Sequence, residues 1–84
     1  NISQAIEKLK EAGFWIYATD LEGEDIRKCD FSGKVAVIIG NEGKGVSKNV
    51  LKNSDKIITI PNFSDFDSLN ASVAAAIVMY EIFR

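Results

Sequence analysis

The stretch VAVIIGNEGKGVS, residues 35–47, decides how this chain folds. Its first five residues are apolar without a break and rich in β-branched side chains. A run that short, followed at once by turn residues, reads as a strand buried on both faces. Glycines at 40, 43 and 45 follow, and then a segment at 46–53 that reads as a short helix or turn. A buried strand that leads through a glycine loop into a helix is the opening of a parallel βα unit, so neighbouring strands are expected to run the same way.

Working outward, residues 57–60 give another apolar strand, and residues 14–19 (FWIYAT) a third, rich in aromatic and β-branched residues. Upstream, Ile2, Ala5, Ile6, Leu9 and Ala12 recur at helical spacing, with Ser3 placed to cap the helix and Gly13 to end it. Residues 20–32 are polar and irregular, anchored only by Leu21, Ile26 and Phe31. Ser68 is placed to cap a last helix that runs to about Phe83. The pattern predicts an α/β fold with a mainly parallel sheet and the 35–39 strand at its centre. In such sheets ligands bind beyond the carboxyl ends of the strands. The loops after Ile39 and Ile60 both lie there.

Composition narrows the function classes. The chain has 84 residues, enough for one small domain, and nearly half are hydrophobic, so a packed core is expected. The net charge of −2 advertises no polyanion as partner. There is no histidine and one cysteine, Cys29, so an internal disulfide is excluded and a transition-metal site is not expected. The longest uncharged run, 68–80, is too short to span a bilayer. No secretory leader is visible, and a cytoplasmic setting is expected. The chain opens on Asn1 directly into a helical pattern, which reads as a piece of a longer protein.

The glycine loop fits neither familiar phosphate motif. Gly40 and Gly45 have the spacing of a phosphate loop, but Val46 stands where the lysine belongs. The dinucleotide fingerprint is G-x-G-x-x-G, whereas this order is G-x-x-G-x-G. A plain strand-to-helix turn therefore stands beside a ligand loop as a reading. Glu42 favours the ligand loop: a carboxylate just past a buried strand is costly unless solvated or paired. Residues 60–81, IPNFSDFDSLNASVAAAIVMYE, form the other informative stretch. Its helix is apolar on nearly every face, yet Ser-Leu-Asn stands at the entrance.

Together these stretches resemble the SpoU-type (SPOUT) RNA 2′-O-ribose methyltransferases. VIIGNEGKGVS is similar to that family's second motif and IPNFSDFDSLNASVAAAIVMYE to its third. EAGFWIYATDLEGEDI resembles the preceding segment in the branch that methylates guanosine of the large (23S) ribosomal RNA. The resemblance implies a deep trefoil knot, an exception to the rule that chains do not thread. It implies S-adenosyl-L-methionine as cofactor, held through Gly40, Ile60 and Leu69. It also implies assisting roles for Glu42, Ser68 and Asn70 in transfer to a ribose 2′-hydroxyl of RNA, ribosomal rather than transfer RNA. The last helix would pack within the knot and against a second subunit, giving a homodimer.

Two positions depart from the family pattern: Asn62 stands for the usual methionine and Ser64 for the usual glycine. The first motif, with its essential asparagine and arginine, is not in these residues. The resemblance thus implies that 1–84 is the carboxyl-terminal part of a catalytic domain, inactive alone. The competing reading is an inactive cofactor-binding or dimerisation module. A Rossmann-like nucleotide domain is disfavoured by the glycine order. Ser68 as a plain helix cap is compatible with a direct role. Lys44, Lys48, Lys52 and Lys56 recur every fourth residue. On a long enough helix they would make a basic stripe for phosphate contact, although a solvated face is the reading preferred.

Overall fold

The computed structural model describes residues 1–40, 45–61 and 71–84. Helix α1 spans Ile2–Glu11 and strand β1 Trp15–Asp25; a single 3-10 turn follows at Ile26–Lys28. Then come β2 (Val35–Ile38), α2 (Lys48–Asn53), β3 (Lys56–Thr59) and α3 (Ala71–Phe83). The three strands form one parallel sheet in the order β2-β1-β3.

Alternation along the strands sorts the core into two layers. Ile16 of β1 packs with Ile6 of α1 and Val50 of α2, joined by Ala36 and Ile38 of β2. Tyr17 faces the other way and packs with Ile26, Ile58 and Val78 of α3, joined by Val35, Val37, Ile39 and Ile60. So α1 and α2 cover one face of the sheet, and the 3-10 turn and α3 cover the other. Ile16, Ala18 and Ile58 are fully buried. Burying one such isoleucine contributes roughly 1.5–3 kcal/mol.

Local chemistry sets the element ends. Asn1, not Ser3, caps α1: its side-chain oxygen accepts from the Ser3 and Gln4 N–H groups. The helix therefore starts two residues earlier than a Ser3 cap allows. Gly13, at φ +90°, turns the chain from α1 into β1. Ser47 caps α2 by accepting from the Val50 N–H. Asp55 ties the α2–β3 turn to the sheet: its carboxylate accepts from Ile16 N–H at 2.7 Å, and its own N–H donates to Ile16 C=O at 2.8 Å.

Two expectations need correction. The central strand is β1, not the apolar run at 35–39. That run does pack on both faces, as expected, but β2 lies at the sheet edge among the described residues, so its side chains are only half-buried. Second, residues 20–25 are not irregular but continue β1. Their backbone leaves the β3 ladder after Thr19 and rejoins it at Glu24, opposite the same Ile58. Gly23 makes this possible, because a Cβ there would lie 2.5 Å from the Ile58 backbone. As expected, the segment after the glycine loop holds a short helix: α2 has six residues and carries Lys48 and Lys52, while Lys56 lies on β3. The threading of the last helix involves 41–44 and 62–70, which lie outside the described residues.

Candidate functional site

Parallel strands put one set of ends on one rim: Thr19 of β1, where its pairing with β2 stops, Ile38 to Gly40 at and after the end of β2, and Thr59 to Pro61 at and after the end of β3. The chain leaves β2 toward α2 on the Ile16 face. It leaves β1 toward the 3-10 turn, and reaches α3 after β3, on the Tyr17 face. Neighbouring strands whose connections depart to opposite faces leave a crevice between them, and ligands bind at such switch points. Here the crevice opens at the ends of β1 and β2.

The Thr19 hydroxyl donates to the Ile38 carbonyl at 3.3 Å, fastening the two strands at that point. Gly40 lies two residues further along β2. A Cβ on Gly40 would meet the Gly45 carbonyl carbon at 2.5 Å, the Val46 nitrogen at 2.6 Å and the Gly45 Cα at 2.7 Å. Glycine is thus required at 40 by backbone lying on backbone: the loop closes on its own stem. Gly45 itself takes a positive φ, +67°. This closure fixes the start of α2 beside the end of β2.

Of the expected cofactor residues, Gly40 and Ile60 are described. Both are half-exposed on the same rim, on either side of β1. Two strand spacings separate them, about 10 Å. That gap suits a small molecule bridged between two backbone segments, with Ile60 packed against the Tyr17 cluster as an apolar wall. Leu69, with Glu42, Ser68 and Asn70, lies outside the described residues. The residue that sequence reasoning missed is Thr19. Its signal was available: once β1 is parallel to β2, its carboxyl end must share the rim.

Away from the rim, charge is distributed unevenly. Glu24 pairs with Lys56 at 3.3 Å and accepts from the Cys29 thiol at 3.1 Å, and these bonds lower its pKa. Burial, followed by the Glu24 hydrogen bond, pushes the Cys29 thiol up to about 11, so it stays protonated and unreactive at neutral pH. Arg27 grips Asp25 through its guanidinium (2.6 Å at the shortest) and holds that carboxyl at about 2. Among the described residues no group of carboxylates, cysteines or histidines could hold a metal ion. No helix among them is long and apolar enough to cross a membrane.

The described residues thus form a parallel α/β sheet whose strands β1 and β2 connect to opposite faces, with Gly40 lying against the Gly45–Val46 backbone at that point. The chain belongs to the SpoU rRNA Methylase family, whose model matches residues 1–80. A tRNA/rRNA methyltransferase of Borreliella burgdorferi, named as uncharacterized, is 49% identical over the whole of this chain, which covers 37% of that protein. An RNA 2′-O ribose methyltransferase of known structure superposes with a TM-score of 0.88 at 28% identity, covering 98% of this chain and 32% of its own. An AdoMet-bound rRNA methyltransferase from Sinorhizobium meliloti gives 0.87 at 31% identity, again over 98% of this chain and 32% of its own. The chain thus spans about a third of the length of these proteins.

Proposed function

We propose that this chain is the cofactor-binding, carboxyl-terminal part of a cytoplasmic enzyme that methylates a ribose 2′-hydroxyl in structured RNA, ribosomal rather than transfer RNA. The observation that carries this reading is the closed loop at Gly40, set at a β1/β2 switch point in a chain of this family. Likeness to a 2′-O ribose methyltransferase and to an AdoMet-bound rRNA methyltransferase supports the chemistry and the cofactor. S-adenosylmethionine, when bound, supplies the methyl group.

The chain's residues do the rest in stages. Backbone groups at Gly40, Ile60 and Leu69 hold the cofactor between the glycine loop and the loop after β3. The Ile60 and Leu69 side chains give it apolar walls. Glu42, Ser68 and Asn70 position the ribose, whose hydroxyl is a weak nucleophile and gains from a fixed in-line approach. The family resemblance implies that the proton acceptor comes from the first motif, outside these residues; Arg27 and Arg84 match no family motif and are paired with Asp25 and Glu81. In the complete domain the chain is threaded as a trefoil knot.

A homodimer belongs to the same proposal. Helix α3 buries only Ala74 and Val78, while Met79, Tyr80 and Phe83 are 54%, 69% and 83% exposed. Apolar surface gathered on one helix marks an interaction site. These same residues favour the second reading, an inactive dimerisation module.

A tritiated methyl-transfer assay on ribosomal RNA fragments separates the readings. The full-length protein should transfer methyl to ribose 2′-oxygens and the 84-residue chain should not. A full-length protein that binds S-adenosylhomocysteine but transfers nothing would establish the module reading instead.

A further inference from the structure

Helix stability explains part of the α2 surface, since Lys52 complements the last turn and the Asn53 amide donates to the Asn49 carbonyl at 2.9 Å, but it does not explain Lys48. Val50 is buried and Leu51 half-buried, and everything else on α2 faces solvent: Lys48, Asn49, Lys52 and Asn53. All four are hydrogen-bond donors, and there is no carboxylate on the helix. Lys48 is its first residue, where a cation opposes the positive end of the helix dipole. A residue that breaks a local rule with no structural compensation points to a functional demand. Lys52, one turn on, stands about 6 Å further along the axis on the same side.

The rest of the charge makes the pair distinct. Residues 20–32 carry Asp20, Glu22, Glu24, Asp25 and Asp30 against Arg27 and Lys28. The 3-10 turn in this acidic segment packs through Ile26 on the Tyr17 face, away from α2. Lys56 does not extend the pair, because it sits on β3 and is engaged by Glu24. Among the described residues neither Lys48 nor Lys52 pairs with a carboxylate. The backbone closure of Gly40 on Gly45 and Val46 holds this end of α2 beside the rim where the cofactor is placed.

We propose that Lys48 and Lys52 grip the phosphodiester backbone of the RNA next to its reacting ribose, with Asn49 and Asn53 as neutral donors beside them. This rests on the methyltransferase reading above. Two lysines on the helix that follows the loop can fix where the strand crosses the rim without reading its bases. The pair therefore sets position and affinity, and leaves the chemical step to other groups.

The test uses the full-length protein and a ribosomal RNA fragment, with binding followed by fluorescence anisotropy between 50 and 300 mM salt. Each phosphate contact contributes about 0.7 (single strand) to 0.9 (duplex) to the slope of log K against log salt. The Lys48→Gln/Lys52→Gln pair should lower that slope by about 1.4–1.8. It should raise KM for RNA at least tenfold, with kcat and S-adenosylhomocysteine affinity unchanged. The Lys48→Arg/Lys52→Arg pair should keep the slope, and Lys28→Gln, on the other face, should change nothing. An unchanged slope in the glutamine pair, with methyl transfer intact, overturns the lysine assignment alone. So does loss of cofactor binding in that pair, which would mean a structural role, or an equal loss in the arginine pair. A full-length wild-type protein that neither binds RNA nor transfers methyl overturns the underlying function and the lysine assignment with it.

Discussion

Gly40→Ala is the sharpest perturbation the structure offers, because its cost is steric and its neighbour is backbone. The added methyl would stand 2.5 Å from the Gly45 carbonyl carbon, whereas ordinary contact begins at 3.4 Å. The loop must therefore retreat by about 0.9 Å, and no side chain can rotate away to absorb it. Overpacking of this kind costs about 1–3 kcal/mol. For a domain this small the urea dependence is about 1 kcal/mol per molar, so the unfolding midpoint should fall by about 1–3 M. Binding suffers separately, since a site tolerates only about 0.5 Å of misplacement. S-adenosylhomocysteine affinity, by calorimetry on the full-length protein, should drop at least about tenfold, roughly 1.4 kcal/mol. Two controls divide the effects. Gly23→Ala makes an equally short contact, with Ile58, but on β3, so it should destabilise while sparing more of the affinity. Gly33 has φ +77° and open space around its Cβ position, so Gly33→Ala should cost only about 1–2 kcal/mol in torsion and leave binding unchanged. Wild-type affinity and an unshifted midpoint in Gly40→Ala would refute both the loop closure and the pocket built on it.

In the full-length protein Asn70→Ala should lower kcat more than cofactor affinity; an effect confined to KM would assign Asn70 to uniform binding instead. Replacing Tyr80 and Phe83 with glutamate should convert a dimer to a folded monomer in light scattering, because both side chains are exposed in the single chain. The Asp25 carboxyl, held at about 2 by Arg27 against an ordinary 3.8, adds stability above about pH 4 that is lost as pH falls toward 2. Asp25→Asn should flatten that part of the pH dependence of the urea midpoint, and an unaltered profile would show that the pair adds nothing.

What was legible in the sequence is what period and composition encode. The apolar run at 35–39 showed a strand, and its glycine loop showed where that strand turns into the next helix. Strand order was not encoded, because burial on both faces is compatible with an edge as well as a centre. β2 is apolar above and below and still lies beside β1 rather than between two strands. Residues 20–25 were misjudged for a related reason. Their polar composition suits a loop, and their strand pairing depends on Gly23 stacking on the Ile58 backbone, a contact between residues 35 positions apart.

The candidate site shows the same division between local and tertiary information. Glycines in such a loop leave the main chain open to close approach by a ligand. At Gly40 the structure gives a different reason, because the approaching main chain is the protein's own, at Gly45 and Val46. Closure of the loop is thus a condition for the site, and any ligand contact is built on top of it. The lysines followed a similar course. A spacing of four carries one helical face only while the helix lasts, and α2 ends at Asn53, with Ser54 as its C-cap. Lys56 keeps the spacing but has entered a strand, where Glu24 neutralises it. What survives is shorter than the sequence pattern and better defined: two lysines on one six-residue helix, held by a backbone contact at the rim where strands β1 and β2 end.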